Sequence, residues 1–197
     1  MREIEQSTAD SVHDNDYALK KTVVMVGMMG AGKTAVGRAL AQLLGVPFLD
    51  SDHEIEAAAN MTVPEIFARD GEPFFRARES EVIHRLLAGA PCVLSTGGGA
   101  FLSEQNRETI STHGVSVWLD ADVELLWNRV KHRDTRPLLR TDDPKRTLET
   151  LFEARAPSYS QADVRVPCAP PVAVERMAQR VREALLARPD VLERHDA

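Results

Sequence analysis

Residues 27–34 have the types and spacing that could bind a nucleoside triphosphate. They read GMMGAGKT and match the P-loop pattern G-x-x-x-x-G-K-[S/T] at every fixed position. A β-branched apolar run precedes them and a helical pattern follows, which is the context that the motif requires. The glycines let backbone amides turn around a phosphate, Lys33 adds a positive charge, and the Thr34 hydroxyl could bind Mg²⁺. The motif therefore predicts a nucleoside triphosphate site and leaves the phosphate acceptor open.

Two aspartates, Asp50 and Asp52, follow the second apolar run of the chain. Mg²⁺ prefers oxygen ligands, so Asp50 could hold the metal directly or through water. Asp52 could bind an acceptor hydroxyl and take its proton as the phosphoryl group moves. The alternative is that Ser51 or Asp52 caps the helix that follows.

Arginines and glycines in three later segments suit a small anionic acceptor. Arg76 could present a planar fork to a carboxylate, or could be a solvated charge on a helix. The glycines at 97–99 stand where a Walker-B aspartate is expected, and they either let backbone amides approach a ligand or form a flexible turn. The polar segment at 133–139 suits a lid that carries an arginine to the transferring phosphate, or an ordinary solvated loop.

Short apolar runs alternate with amphipathic stretches along the chain. This alternation predicts an α/β fold, with helices on both faces of a parallel sheet and ligands beyond the carboxyl ends of the strands. Strands are predicted at 22–26, 47–50, 92–95, 115–119 and 164–166. Helices are predicted at 33–44, 63–70, 75–87, 144 to about 155, and 172–186.

The bulk properties narrow the class of protein further. The 197 residues predict one domain at 21–188, with a disordered acidic extension at 1–20 and a flexible tail at 189–197. The net charge of −6 argues weakly against nucleic-acid binding. The sequence has neither an apolar run of about 18 residues nor a secretory signal, so we expect a cytoplasmic protein that does not enter a membrane. Cys92 and Cys168 are predicted to be reduced, packed thiols.

Taken together, these motifs resemble the shikimate kinase family over about residues 20–170. Their combination is more specific than any single member. The segments are GMMGAGKT at 27–34, DSD at 50–52 with IE at 55–56, FR at 75–76, GGG at 97–99, RPLL at 136–139 and RAPSY at 155–159. A shikimate kinase would transfer the γ-phosphate of ATP to the 3-hydroxyl of shikimate, in the pathway to chorismate and the aromatic amino acids.

The resemblance also implies a role for each matching residue. Asp52, Lys33 and Arg136 would be catalytic, and Thr34 and Asp50 would hold Mg²⁺. Shikimate would be bound by Asp52, Arg76, Gly98 and Arg155, and ATP by Gly30, Ala31, Gly32, Lys33, Thr34, Ala35 and Arg136. Glu79 would hold Arg76 in place, and Arg129 would lie near the nucleotide. Whether Asp52 removes the proton or only orients the hydroxyl stays open.

The family fold would be a three-layer P-loop kinase with five parallel strands in the order 2-3-1-4-5. A mobile lid would carry Arg136, and the protein would act as a monomer. Two alternatives remain: a gluconate or other small-metabolite kinase on the same fold, and a catalytically silent nucleotide-binding module. The adenine contacts after residue 166 cannot be assigned from the sequence, because 167–171, which read PCAPP, match no clear family pattern.

Overall fold

A central parallel sheet organises the molecule. The computed structural model describes residues 16–132, 137–169 and 172–195. The strands are β1 (Tyr17–Leu19), β2 (Thr22–Val26), β3 (Phe48–Asp50), β4 (Val93–Ser95), β5 (Gly114–Ala121), β6 (Val164–Cys168) and β7 (Leu192–Arg194). Five of them form the parallel sheet in the order β3-β4-β2-β5-β6. This is the predicted order 2-3-1-4-5, counted over the five predicted strands.

Helices cover both faces of this sheet. They are α1 (Lys33–Leu44), α2 (Ser51–Ala59), α3 (Val63–Asp70), α4 (Glu72–Leu87), α5 (Glu104–His113), α6 (Val123–Val130), α7 (Pro144–Tyr159) and α8 (Val174–Leu186). The chain moves one way along the sheet from β2 to β3, and the other way from β3 through β6. Because such crossovers are right-handed, α1 lies on one face while α4 and α5 lie on the other. Helix α8 packs against α1.

The core explains why the strands were predictable and some helix ends were not. Every residue of β2 is buried, as expected for the central strand of a parallel sheet. Helix α4 begins at Glu72, before the predicted 75, because Pro73 fits its first turn. Helix α7 continues to Tyr159, past the predicted end near 155, with Pro157 inside its last turns. Burial of Tyr159 supports this extra turn. No bounds were predicted for α2, α5 and α6, although a helix was anticipated directly after Asp52.

Two predicted helix ends are confirmed in detail. Helix α1 stops at Gly45, whose φ of 62° is left-handed. Helix α3 begins with a capping box, in which the Thr62 amide donates to Glu65 Oε2 at 2.7 Å and the Glu65 amide donates to the Thr62 hydroxyl at 3.4 Å. The Val63 amide of the same turn donates to Glu56 Oε1 at 2.9 Å. Glu56 therefore ties α2 to α3.

The two ends of the described chain pair with each other, which the sequence did not predict. Strands β1 and β7 form an antiparallel ribbon, although 17–19 and 192–194 were assigned to a disordered extension and a flexible tail. The reason is burial, because Val191 and Leu192 enter the core. An ion pair of 3.1 Å between Lys21 and Asp190 adds to the ribbon. The disorder predicted for the rest of the extension falls on residues 1–15, outside the described residues.

Within residues 16–132, 137–169 and 172–195, no helix has the length and apolar character needed to cross a membrane. Both cysteines, Cys92 and Cys168, are buried and carry free thiols, as predicted.

A hydrogen-bonded junction fixes β5 against the start of β6. Asp163 Oδ2 accepts the amide of the fully buried Ser116 at 2.8 Å and its hydroxyl at 2.6 Å. The Asp163 amide donates back to the Ser116 hydroxyl at 2.9 Å. Removing the carboxylate would leave two donors of a buried residue without this acceptor.

We expect Asp163→Ala to lower the free energy of unfolding by about 1–2 kcal/mol, or a few degrees in Tm. Differential scanning fluorimetry and urea unfolding would measure this loss. Asp142→Ala, which removes an exposed aspartate before α7, is the matched control and should change stability by less than about 0.5 kcal/mol. Equal stability of the two variants would contradict the claim that the Asp163 carboxylate stabilises the junction between β5 and β6.

Candidate active site

The P-loop connects β2 to α1 and curls at the carboxyl end of the sheet. Gly30 has a φ of 82°, and a Cβ placed on it would lie 2.7 Å from Val130 Cγ1. Glycine is therefore required at this position. The first turn of α1 follows the loop, so the amides of Lys33, Thr34 and Ala35 point out of the helix N-terminus, where an anion is favoured.

Two cations hold the loop in this shape. Lys33 Nζ donates to the carbonyl oxygens of Gly27 at 2.8 Å and Met28 at 3.1 Å. Arg129 Nη1 reaches over from α6 and donates to the carbonyl oxygens of Gly30 and Ala31, both at 3.1 Å. Both positive side chains therefore already lie on the loop that would wrap a triphosphate.

Three side-chain oxygens meet beside the first turn of α1. The Thr34 hydroxyl lies 3.4 Å from Asp50 Oδ2 and 3.3 Å from the Ser95 hydroxyl. Asp50 Oδ1 accepts the amide of Asp52 at 3.1 Å, so Asp50 is the N-cap of α2. The alternative that Ser51 or Asp52 caps this helix is therefore wrong, because the residue before them does so. The Asp52 side chain is left available for chemistry.

The three glycines at 97–99 form a turn after β4, which we call the glycine turn. Asp52 faces Glu79 across its first residue, Gly97. A Cβ placed on Gly97 would lie 3.0 Å from Asp52 Oδ1 and 3.0 Å from Glu79 Oε1. Both of these buried oxygens lack a hydrogen-bond partner within the described part of the chain. Burial raises the pKa of the Asp52 carboxyl, and Asp50 raises it further, while Lys33 lowers it. A carboxyl with a raised pKa is better suited to accept a proton than an ordinary aspartate.

Arg76 lies over the last residue of the same turn. Its Nη1 donates to Glu79 Oε2 at 2.7 Å, and its Nε and Nη2 donate to Glu72 Oε1 at 3.2 and 3.1 Å. A Cβ on Gly99 would lie 2.5 Å from Nη2, so glycine leaves the space that the guanidinium fills. The Glu79 side chain is only 1% exposed, and burial raises its pKa although Arg76 acts in the opposite direction.

Arg155 reaches the middle of the turn from α7. Its Nη1 lies 3.6 Å from the position of a Cβ on Gly98. The Tyr159 hydroxyl, one turn further along α7, donates to the Gly98 carbonyl oxygen and lies 3.8 Å from the same Cβ position. The glycine turn therefore brings together side chains from α2, α4 and α7 that are far apart in the sequence.

An open cleft of about 730 Å³ runs along the P-loop. Its lining includes Asp52 and Gly98 but neither Arg76 nor Arg155, which join the site through the glycine turn instead. Its lining also includes four residues that the sequence did not place in a site, namely Cys168, Val172, Val174 and Met177. The predicted lid residue Arg136 lies outside the described residues.

Comparison with known proteins assigns this arrangement to a family. The family model described as shikimate kinase matches residues 29–186. The chain belongs to the shikimate kinase family. A shikimate kinase of Ruegeria pomeroyi is 67% identical over 98% of this chain and 99% of its own length. A shikimate kinase of Cereibacter sphaeroides is 69% identical over 89% of this chain and 87% of its own length.

Solved structures agree with this assignment. The structure of a shikimate kinase from Acinetobacter baumannii in complex with shikimate is 41% identical and has a TM-score of 0.80, covering 85% of this chain and 93% of that chain. A gluconokinase from Sinorhizobium meliloti is 21% identical with a TM-score of 0.52, covering 84% of this chain and 94% of that chain. The second likeness shows a shared fold alone.

Sequence reasoning missed the roles of two polar residues in this site, Tyr159 and Ser95. The hydroxyl of Tyr159 was not given a role, although RAPSY was one of the family segments. Ser95 was also passed over, and it stands beside Thr34 where a Walker-B aspartate was expected. Each had a signal in the sequence that could have indicated a role. Ser95 ends a predicted strand, and Tyr159 lies within a segment that matches the family.

Proposed function

We propose that this chain transfers the γ-phosphate of ATP to the 3-hydroxyl of shikimate and releases shikimate 3-phosphate and ADP. The observation that supports this best is the glycine turn beside the P-loop. Its three consecutive glycines each face one functional side chain. Gly97 faces the carboxylate of Asp52, Gly98 the guanidinium of Arg155, and Gly99 the guanidinium of Arg76. Shikimate has both a carboxylate and a hydroxyl, and therefore complements this set.

On the acceptor side, we assign the shikimate carboxylate to Arg76 and Arg155, and a backbone contact to Gly98. Arginine suits this role because its planar fork matches a carboxylate. Glu79 holds Nη1 of Arg76. Glu72, which accepts from Nε and Nη2, is largely exposed, so exchanging its carboxylate for that of the substrate costs little.

On the phosphate side, Lys33 and the amides of 30–35 would surround the β- and γ-phosphates. The hydroxyl of Thr34 and the carboxylate of Asp50 supply the hard oxygen donors that fit Mg²⁺. The metal, when bound with ATP, would neutralise charge on the phosphates. The role of Arg136, as the lid residue that stabilises the transferring phosphate, stays a prediction.

The reaction then depends on position and charge. Asp52 would accept a hydrogen bond from the 3-hydroxyl and orient its oxygen towards the γ-phosphorus, in line with the leaving ADP oxygen. As the new P–O bond forms and the old one breaks, the hydroxyl proton passes to Asp52. Because the transition state of phosphoryl transfer is loose, orientation and charge stabilisation carry more of the rate than early proton removal.

An acceptor panel tests this function directly. The purified protein is assayed by coupled ADP release with shikimate, gluconate and nucleoside monophosphates, each with ATP and Mg²⁺. Of these acceptors, we expect only shikimate to be phosphorylated. Turnover with gluconate and not with shikimate would move the chain to the alternative small-metabolite class, and ATP binding without any turnover would favour the silent module. The monomeric state and the cytoplasmic location stay predictions.

A further inference from the structure

Tyr159 belongs to the RAPSY segment, but sequence reasoning assigned it no role in the site. It lies at the end of α7, is 1% exposed, and is among the largest fully buried side chains. Its hydroxyl donates to the Gly98 carbonyl oxygen. The position of a Cβ on Gly98 lies 3.8 Å from this hydroxyl and 3.6 Å from Arg155 Nη1, so the hydroxyl, the Gly98 peptide and the guanidinium to which we assign acceptor binding are gathered at one point.

The chemistry of a buried phenol makes this arrangement directional. A phenol hydroxyl has one hydrogen to donate, and here it goes to Gly98, so the oxygen keeps its lone pairs free to accept from a neighbouring cation such as Arg155. Burial raises the pKa of the Tyr159 phenol, although Arg155 acts in the opposite direction, so the group stays a neutral donor at neutral pH. Its removal would leave the Gly98 carbonyl oxygen without this donor and would remove an acceptor oxygen close to Arg155.

The ring of Tyr159 is fixed as firmly as its hydroxyl. It is stacked on Trp118 of β5, with ring centroids 6.3 Å apart and an interplanar angle of 28°. Trp118 in turn lies beside the P-loop, because its Cδ1 is 3.2 Å from the position that a Cβ on Gly27 would occupy. The ring that carries the hydroxyl is thus packed against a strand of the central sheet as well as attached to α7.

We propose that Tyr159 is a positioning residue for the acceptor, whose hydroxyl holds the Gly98 peptide and the Arg155 guanidinium in the orientation that binds the shikimate carboxylate. This inference rests on the proposed function and adds a residue to it. It predicts an effect confined to the acceptor, because Tyr159 is not among the residues that line the cleft along the P-loop.

The test is Tyr159→Phe, which removes the hydroxyl and keeps the ring that packs on Trp118. We expect the KM and the calorimetric Kd for shikimate to rise about five- to tenfold, from the loss of about 1–1.4 kcal/mol of hydrogen bonding. The kcat and the KM for ATP should stay within about twofold. Ser160→Ala is the matched control, because it removes an exposed hydroxyl that donates to the Pro157 carbonyl oxygen.

A double-mutant cycle with Arg155→Ala separates positioning from general loosening of the fold. If Tyr159 acts through Arg155, Tyr159→Phe should cost less than about threefold in kcat/KM for shikimate once Arg155 is gone. An unchanged shikimate Kd in Tyr159→Phe would overturn the inference alone, and an equal loss in both backgrounds would overturn the part of it that acts through Arg155. A wild-type protein that does not phosphorylate shikimate would instead overturn the proposed function, and this inference with it.

Discussion

Asp52→Asn is expected to lower kcat for shikimate phosphorylation about 100-fold or more, with the KM for shikimate and for ATP changed less than about threefold. The asparagine keeps the size of the side chain and can still contact the hydroxyl. It cannot take the proton, and it removes the negative charge that favours the correct orientation of the hydroxyl. Coupled ADP release at saturating shikimate and ATP measures the effect.

The pH profile of the wild-type enzyme should carry the same signature. Burial and Asp50 raise the pKa of Asp52, so kcat should fall on the acid side at a higher pH than an ordinary aspartate would give. At a pH above this raised pKa, the ionised Asp52 lowers the free energy of unfolding. Replacement by the neutral asparagine should therefore not lower Tm. The residual activity of Asp52→Asn should lack this acid limb.

The control for this prediction lies on the same helix. Glu54→Gln removes a carboxylate of α2 that pairs with Arg85, outside the cleft lining, and should leave kcat unchanged. A wild-type kcat for Asp52→Asn would show that the carboxylate neither accepts the proton nor orients the acceptor.

The sequence could predict those parts of the fold whose signals are local. The P-loop is one contiguous pattern, and the strand at 22–26 is apolar at every position but its first, so both were readable. The ribbon of β1 and β7 was not, because three-residue strands have almost no periodicity and their pairing joins residues such as Tyr17 and Arg194. The extra turn of α7 was hidden by Pro157, a residue that usually marks a helix end.

The contacts of the site also divide into those that the sequence could predict and those that it could not. The i,i+3 spacing of Arg76 and Glu79 is visible in the sequence, and the structure joins them by an ion pair of 2.7 Å. The approach of Asp52 to Glu79 across Gly97, by contrast, depends on how α2, α4 and a strand end pack together. No spacing along the chain encodes that geometry. A family resemblance can name such residues, and only the three-dimensional arrangement gives the physical reason.

Arg155→Ala and Arg76→Ala are each expected to raise the KM for shikimate about 10- to 100-fold, with kcat and the KM for ATP much less affected. Each loses a charge-assisted hydrogen bond to the carboxylate, which contributes about 1.5–3 kcal/mol. Steady-state kinetics with shikimate as the varied substrate measures the effect. Arg78→Ala, which removes a neighbouring exposed arginine that pairs with Glu81, is the control. An unchanged KM in both site variants would sink the assigned roles.

Arg76→Ala and Arg155→Ala should also differ in stability, because the two arginines have different neighbours in the structure. Arg76→Ala leaves the buried Glu79 without its cation and should lose about 2–3 kcal/mol at neutral pH, whereas Arg155→Ala leaves no buried carboxylate behind. Because the pKa of Glu79 in the folded protein is raised and rises further without Arg76, the folded variant binds a proton more tightly than the unfolded chain. The loss should therefore shrink as pH falls below neutrality. Urea unfolding of both variants at neutral and acidic pH tests this, and equal, pH-independent losses would contradict it.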